Sequence, residues 1–171
     1  MKPKKYSNRK INNLGDDFFS IWTDGSFRPP DASAYAYLIF SQKDQHVKHM
    51  AKVAKRGHTN NQMELLAIDA ALAAMPMKHV VIHTDSAYAI GCLSMWHYGW
   101  RRNNWLDSKG EPVKNREIIE GILEKINKVT SLSFVKVKAH SGEQFNSVVD
   151  HMCQELTARM IADVSMEDGR W

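Results

Sequence analysis

Phe18-Phe19-Ser20-Ile21-Trp22-Thr23-Asp24-Gly25-Ser26 is the stretch whose reading decides the fold. Its first six residues are aromatic, β-branched or small, the composition of a buried strand. That strand delivers Asp24 to the edge of a sheet. Gly25 then predicts a turn, because a residue without a Cβ bends the backbone at no steric cost. Taken alone, the pattern is a strand ending in an Asp-Gly turn, a common device. It gains meaning because His79-Val80-Val81-Ile82-His83-Thr84 ends in the same way, in Thr84-Asp85-Ser86.

Working outward, Arg28-Pro29-Pro30-Asp31 reads as a turn, Ala34 to Phe40 as a second strand and Val47 to Val53 as a third, making an antiparallel meander. From Gln62 to Met75 the period changes, with Leu65, Ile68, Leu72 and Met75 on one stripe of a helix. Residues 79–84 are an apolar run with a helix on each side, as in a buried parallel strand. Trp96-His97-Tyr98-Gly99-Trp100-Arg101-Arg102-Asn103-Asn104-Trp105 interleaves three tryptophans with two arginines. A core of this size does not need them. The segment is therefore expected to protrude, offering Trp96, Trp100, Arg101 and Arg102 to a nucleic-acid backbone. A hydrophobic helical hairpin packed on itself is the competing reading. A helix from Asn115 to about Asn127, a strand through Leu132, Phe134, Lys136 and Lys138, a loop from Ala139 to Gln144 and a closing helix from Asn146 to Ala162 complete the chain. The fold expected is α/β: a five-stranded mixed sheet, three antiparallel strands then two parallel, with helices on both faces.

The 171 residues suit one domain with a sizeable core. Residues 1–16, with Lys2, Lys4, Lys5, Arg9 and Lys10, read as a flexible basic arm, 17–162 as the domain and 163–171 as a C-terminal tail. The formal charge of +4 and pI near 9.0 lean toward a polyanionic partner. No apolar run approaches the roughly 18 residues of a membrane span, and no apolar signal segment follows the basic start, so a cytoplasmic protein is expected, with a monomer as the default. Cys92 and Cys153 lie in apolar helical contexts without metal-ligand spacing and read as reduced core residues.

If the first strand and residues 79–84 are neighbours in one sheet, Asp24 and Asp85 meet at one edge. Glu64, at the start of the first long helix, and Asp150, one turn into the last, could complete a cluster of four carboxylates. Each has a plainer explanation: Glu64 as partner of a helix dipole, Asp85 as the N-cap of the next helix. Four converging carboxylates repel, and several must take up protons unless hard divalent cations fill the site. Mg²⁺ prefers oxygen ligands and leaves positions to water and substrate phosphate. A pair of such ions roughly 4 Å apart activates a water and stabilises the leaving oxygen of a phosphodiester. The residues by themselves thus point to metal-dependent phosphodiester chemistry.

Thr23-Asp24-Gly25-Ser26, Thr59-Asn60-Asn61-Gln62-Met63-Glu64-Leu65, Thr84-Asp85-Ser86, Lys138-Ala139-His140-Ser141-Gly142, and Asn146 to Asp150 leading into Glu155-Leu156 occur in an order that resembles ribonuclease H of type 1. The resemblance covers residues 17–162, and the tryptophan segment with Pro112-Val113-Lys114-Asn115 resembles the basic protrusion of the cellular enzymes. It implies endonucleolytic cleavage of the RNA strand of RNA/DNA hybrids, leaving 5′-phosphate and 3′-hydroxyl ends. It also implies two Mg²⁺ ions, with Mn²⁺ as a substitute: Asp24 on both, Glu64 and Asp85 on one, Asp150 on the other. His140 would shuttle protons or assist product release. Thr59 and Asn115 would hold a DNA-strand phosphate, Asn60 and Asn61 would enter the minor groove, and Tyr88 and Trp100 would pack along the DNA strand.

The sequence departs from the family pattern in three places. Phe27 to Ala34 is shorter than the family's glycine-rich segment and holds no asparagine. Ala87 stands where glutamine is common, and Asn103, Leu106 and Glu111 stand where basic residues cluster, so modest hybrid affinity is expected. Two rival functions follow from the same fold class. A DNA-specific or transposase-like nuclease is opposed by the Thr59-to-Glu64 segment and the protrusion. A hybrid-binding module without catalysis is opposed by the presence of all four carboxylates.

Overall fold

In a computed structural model the described residues are 17–138 and 144–168, so the basic arm and His140 lie outside them. The chain runs β1 (Phe19–Arg28), β2 (Ala32–Ser41), β3 (His46–Arg56), α1 (Asn60–Ala74), β4 (His79–Thr84), α2 (Ala87–Gly91), a π-helical turn (Cys92–Trp96), α3 (His97–Arg102), α4 (Arg116–Lys128), β5 (Ser131–Lys136) and α5 (Gln144–Asp168). The sheet order is β3-β2-β1-β4-β5. β1, β2 and β3 pair antiparallel, while β4 joins β1 and β5 joins β4 in parallel, as expected. Parallel neighbours need long crossovers, and the helical segments before and after β4 supply them.

β1 sits at the centre, and its alternation divides the interior into two cores. Ile21 joins Ile39, Leu65, Ile68, Ile82, Ile119 and Ile122 on one side, where α1 and α4 pack. Trp22 faces the other way with Ala34, Ala36 and Leu38, and α5 covers them with Val149 and Cys153. α4 is held by a single stripe, Ile119, Ile122, Leu123 and Ile126, at the i, i+3, i+4, i+7 spacing of an amphipathic helix. Burying each such side chain contributes about 1.5–3 kcal/mol, which outweighs the weak helix preference of its β-branched isoleucines. β3 closes the antiparallel edge and is exposed along most of its length. Lys48, Lys52, Lys55 and Arg56 on it discourage pairing with a second sheet.

Three expectations are corrected. β1 does not turn at Gly25 but continues to Arg28, with Asp24 opposite Ala36 and Gly25 opposite Tyr35; the turn falls at Pro29-Pro30-Asp31. The glycine is needed for space: a Cβ there would lie 2.5 Å from the Glu64 backbone N and 2.7 Å from the Met63 carbonyl carbon. The closing helix starts at Gln144 and runs to Asp168, so Asp150 sits further into it than one turn and residues 163–168 are helical. Trp105 is a core residue at 7% exposure, and Trp100 packs partly against that core, leaving Trp96 as the exposed member of the three.

Candidate active site

Parallel pairing of Phe19–Trp22 with Val80–His83 sets β1 and β4 side by side, so Asp24 and Asp85 emerge together just beyond the paired residues. Glu64 arrives from α1, on the opposite sheet face from α5. Thr59 caps that helix in a reciprocal capping box with Gln62, which puts Glu64 beyond the first turn and rules out a dipole-only role. Gly25 lets β1 lie against this turn, bringing Asp24 beside Glu64. Asp85 is not the N-cap of α2 either: Ser86 takes that place, its hydroxyl accepting from the Ala89 N–H at 3.1 Å. Asp24, Glu64 and Asp85 each offer a carboxylate oxygen, all within 4.8 Å of one another. Asp150, from α5, lines the same cleft of about 530 Å³ together with Asn60, Asn61, Tyr88, Arg28 and Gln154.

The electrostatics follow from this crowding. Burial, then the charges of Asp85 and Asp150, push the Asp24 carboxyl up to about 7. Burial and the charges of Asp24 and Asp85 raise Glu64 well above the usual carboxylate range. Glu64 is 4% exposed, and its Oε2 is buried with no hydrogen-bond donor. An orphaned buried oxygen facing two more carboxylates is a poor site for protein donors and a good one for a hard divalent cation. Asp150 is oriented by Gln154, whose Nε2 donates to both carboxylate oxygens at 2.9 and 3.0 Å. His83 stacks on Trp22 with centroids 4.3 Å apart, and burial lowers its imidazole to about 4.

A second concavity adjoins the first and shares Asn61 and Tyr88 with it. Thr59, Gln62, Trp100, Lys109, Lys114 and Asn115 line it as well. Asn115 has a left-handed backbone (φ 61°) at the start of α4, and its Nδ2 donates to the Tyr88 hydroxyl at 3.0 Å, linking α4 to α2. The structure thus gathers Thr59, Asn61, Tyr88, Trp100 and Asn115 along one groove, and Asn60 at the cleft. Trp96 makes an edge contact with Tyr88 at 6.2 Å and with Trp100 at 6.0 Å, while Arg101 and Arg102 are exposed in the last turn of α3. Arg28 and Gln154 in the carboxylate cleft, and Asp107 and Lys109 in the groove, were not expected from the sequence. Arg28 shares the period-two face of Asp24, a signal hidden once a turn was expected at Gly25; Gln154 lies one helical turn from Asp150.

The sequence model of the RNase H family matches residues 17–157, a span that holds all four carboxylates. The chain belongs to the RNase H family. Ribonuclease H of Acidiphilium cryptum is 34% identical over 146 residues, covering 84% of this chain and 88% of that protein. Ribonuclease H of Caldicellulosiruptor saccharolyticus is 37% identical over 149 residues, covering 84% and 96%. Among solved structures, the PFV RNase H domain in solution superposes with a TM-score of 0.71 at 18% identity, covering 85% of this chain and 98% of that domain. The foamy viral protease–reverse transcriptase in complex with RNA/DNA hybrid gives 0.72 at 19%, covering 92% of this chain and 21% of that one. These two share the RNase H fold. Membership implies divalent-metal use, which the Asp24–Glu64–Asp85 cluster is built to serve.

Proposed function

We propose that this RNase H holds two Mg²⁺ ions, with Mn²⁺ as a substitute, on Asp24, Glu64, Asp85 and Asp150, and cleaves the RNA strand of RNA/DNA hybrids endonucleolytically. The products carry 5′-phosphate and 3′-hydroxyl ends. The observation that carries this reading is the convergence of three carboxylate oxygens within 4.8 Å, one of the groups being the buried Glu64 carboxyl, whose Oε2 has no hydrogen-bond partner. Bound there, the ions would acidify an attacking water and stabilise the leaving oxygen. The chain's own residues position the substrate. Asp24 and Asp85 fix the cleft floor from two paired strands, Glu64 closes it from α1, and Gln154 keeps Asp150 turned in one orientation. Asn60 and Asn61 face the hybrid's minor groove. The adjoining groove takes the DNA strand, with Thr59 and Asn115 on a phosphate, Tyr88 and Trp100 along the sugars, and Trp96, Arg101 and Arg102 beyond them. His140 moves a proton at the leaving group or helps product depart. The protein works as a monomer in the cytoplasm, where its two buried thiols stay reduced.

The test incubates an end-labelled hybrid, duplex RNA and duplex DNA with the protein, in Mg²⁺ and in chelator. RNA-strand cleavage of the hybrid alone, only with metal, is expected. Comparable cutting of duplex DNA would favour the nuclease rival, and hybrid binding without cleavage the binding module.

A further inference from the structure

Among the described residues, Arg28 is the one cationic side chain in the wall of the carboxylate cleft. Its position follows from the extension of β1 past Gly25. Residues 24, 26 and 28 alternate onto one strand face, opposite Ala36, Ala34 and Ala32 of β2. At about 3.4 Å per residue, the Arg28 Cα lies about 14 Å beyond that of Asp24 along the strand. Arg28 lines the cleft but not the adjoining groove, so it stands in the part of the cleft the groove does not share.

Of the four cations of β3, Lys48, Lys52 and Arg56 are already matched, while Lys55 has no ion pair among the described residues. Arg56, opposite Ala32 at the same end of the sheet, is held by both oxygens of Asp31 at 3.1 and 3.2 Å. On β3, Lys48 pairs with Asp44, and Lys52 with Glu155. Arg28 has no ion pair among the described residues. A half-buried guanidinium beside an acidic cleft, yet bonded to none of its carboxylates, lacks an anion. Its planar fork of donors matches a phosphate, which it can take through two parallel hydrogen bonds.

We propose that Arg28 binds a backbone phosphate of the RNA strand flanking the bond that is cut, and so sets that strand's register across the carboxylates. This rests on the hybrid-cleaving reading above. Register is thereby fixed from both sides: the groove holds one strand, and Arg28 anchors the other.

The experiment compares wild type with Arg28→Ala, Arg28→Gln and Arg28→Lys, measuring kcat and KM on one hybrid across a salt series, with thermal midpoints in parallel. Loss of one phosphate contact should raise KM about tenfold and flatten the log KM against log salt slope by up to about 0.9, with kcat at saturation changed less than about threefold. Arg28→Lys should keep the slope and lose part of the affinity, whereas Arg28→Gln should behave as Arg28→Ala. Hybrids with a single uncharged methylphosphonate at successive RNA linkages then locate the contact: at one linkage the wild type should weaken and Arg28→Ala should not. An unchanged KM and slope in Arg28→Ala overturns the proposal. So does a lowered melting point with an unchanged slope, which would mean that Arg28 only offsets carboxylate repulsion. If wild type itself fails to cut hybrid, the underlying reading fails instead.

Discussion

Asp24 occupies a site that disfavours its own charge, and two predictions follow from that. Replacing it, or Glu64, Asp85 or Asp150, by the matching amide should lower hybrid cleavage by at least about a thousandfold while leaving hybrid binding measurable, because each would remove a metal ligand. Cleavage by Asp24→Asn within tenfold of wild type would sink the assignment. His140→Ala should be milder, about 10²-fold, since proton transfer typically contributes 10²–10⁴-fold and water can replace part of it. The second prediction concerns the metal-free protein. The Asp24 carboxyl sits at about 7 instead of 3.8, and Glu64 is raised too, so the folded state binds these protons more tightly than the unfolded chain does. Their contribution to stability is complete below the unfolded value and is lost as pH rises through about 7. In chelator at pH 8, Asp24→Asn should therefore melt higher than wild type by roughly 5 °C. The gap should shrink toward pH 5.5, and Mg²⁺ should narrow or reverse it, because wild type gains more from the metal. His83 acts in the opposite sense. Its imidazole is lowered to about 4, so the stability it contributes is present above about 6.5 and falls away as pH drops. Melting curves against pH in chelator read both effects, and a lower midpoint for Asp24→Asn at pH 8 would refute a tight cluster.

β1 and α1 meet so closely at Gly25 that a methyl group has nowhere to go, with Met63 Cβ also only 2.9 Å from an added Cβ. Gly25→Ala should cost about 1–3 kcal/mol by overpacking and should depress cleavage as well, because the displaced element carries Glu64. Urea unfolding and hybrid cleavage measure the two; a stable and fully active variant would show that α1 yields without moving the site. The tryptophan segment divides in the same way between packing and surface. Trp105 is buried, packs at a tilt against Trp100 with centroids 6.2 Å apart and carries the Arg116 guanidinium 5.1 Å over its ring, whereas Trp96 is 40% exposed. Trp105→Ala should therefore destabilise by about 3–5 kcal/mol. Trp96→Ala should leave the melting midpoint within a few degrees and weaken hybrid binding instead. Equal destabilisation by both substitutions would make the whole segment a structural hairpin.

Across the whole molecule, positive charge is spread thinly near the groove. Arg101 and Arg102 close α3, and Lys109 and Lys114 line the groove, but Asp107 and Glu111 line it too. Affinity for a polyanion scales with the phosphates neutralised, each steepening the log-affinity against log-salt slope by up to about 0.9. Removing both arginines should flatten that slope by about one to two units and raise KM first, leaving kcat at saturating hybrid nearly unchanged. Asn103→Arg with Leu106→Lys should do the reverse. The gain will be partial, since Asn103 Nδ2 now donates to the Leu106 carbonyl at 3.2 Å and holds the turn. If neither pair moves the slope, the substrate is held elsewhere.

The sequence alone determined that this protein has five strands, three antiparallel and two parallel, with long helices α1, α4 and α5, and it named the four acidic residues. These rest on local properties: alternation in β1 and β2, the apolar run of β4, and the stripe of α4, which propensity and periodicity report directly. The repeated Thr-Asp ending of two apolar strands marked Asp24 and Asp85, because parallel neighbours bring their ends together. Tertiary structure decided what depends on contacts distant in sequence. Whether Gly25 turns or continues was settled by the backbone of Met63 and Glu64, and with it the reach of β1 to Arg28. Asp85 and Ser86 are equally good caps, and only the packing of α2 gave the role to Ser86. A tryptophan looks the same in a core and on a surface, so the burial of Trp105 awaited the docking of α4. The displaced titration of Asp24 and Glu64 belongs to no single residue. It arises because the middle of β1, the second turn of α1 and the end of β4 place like charges together away from water.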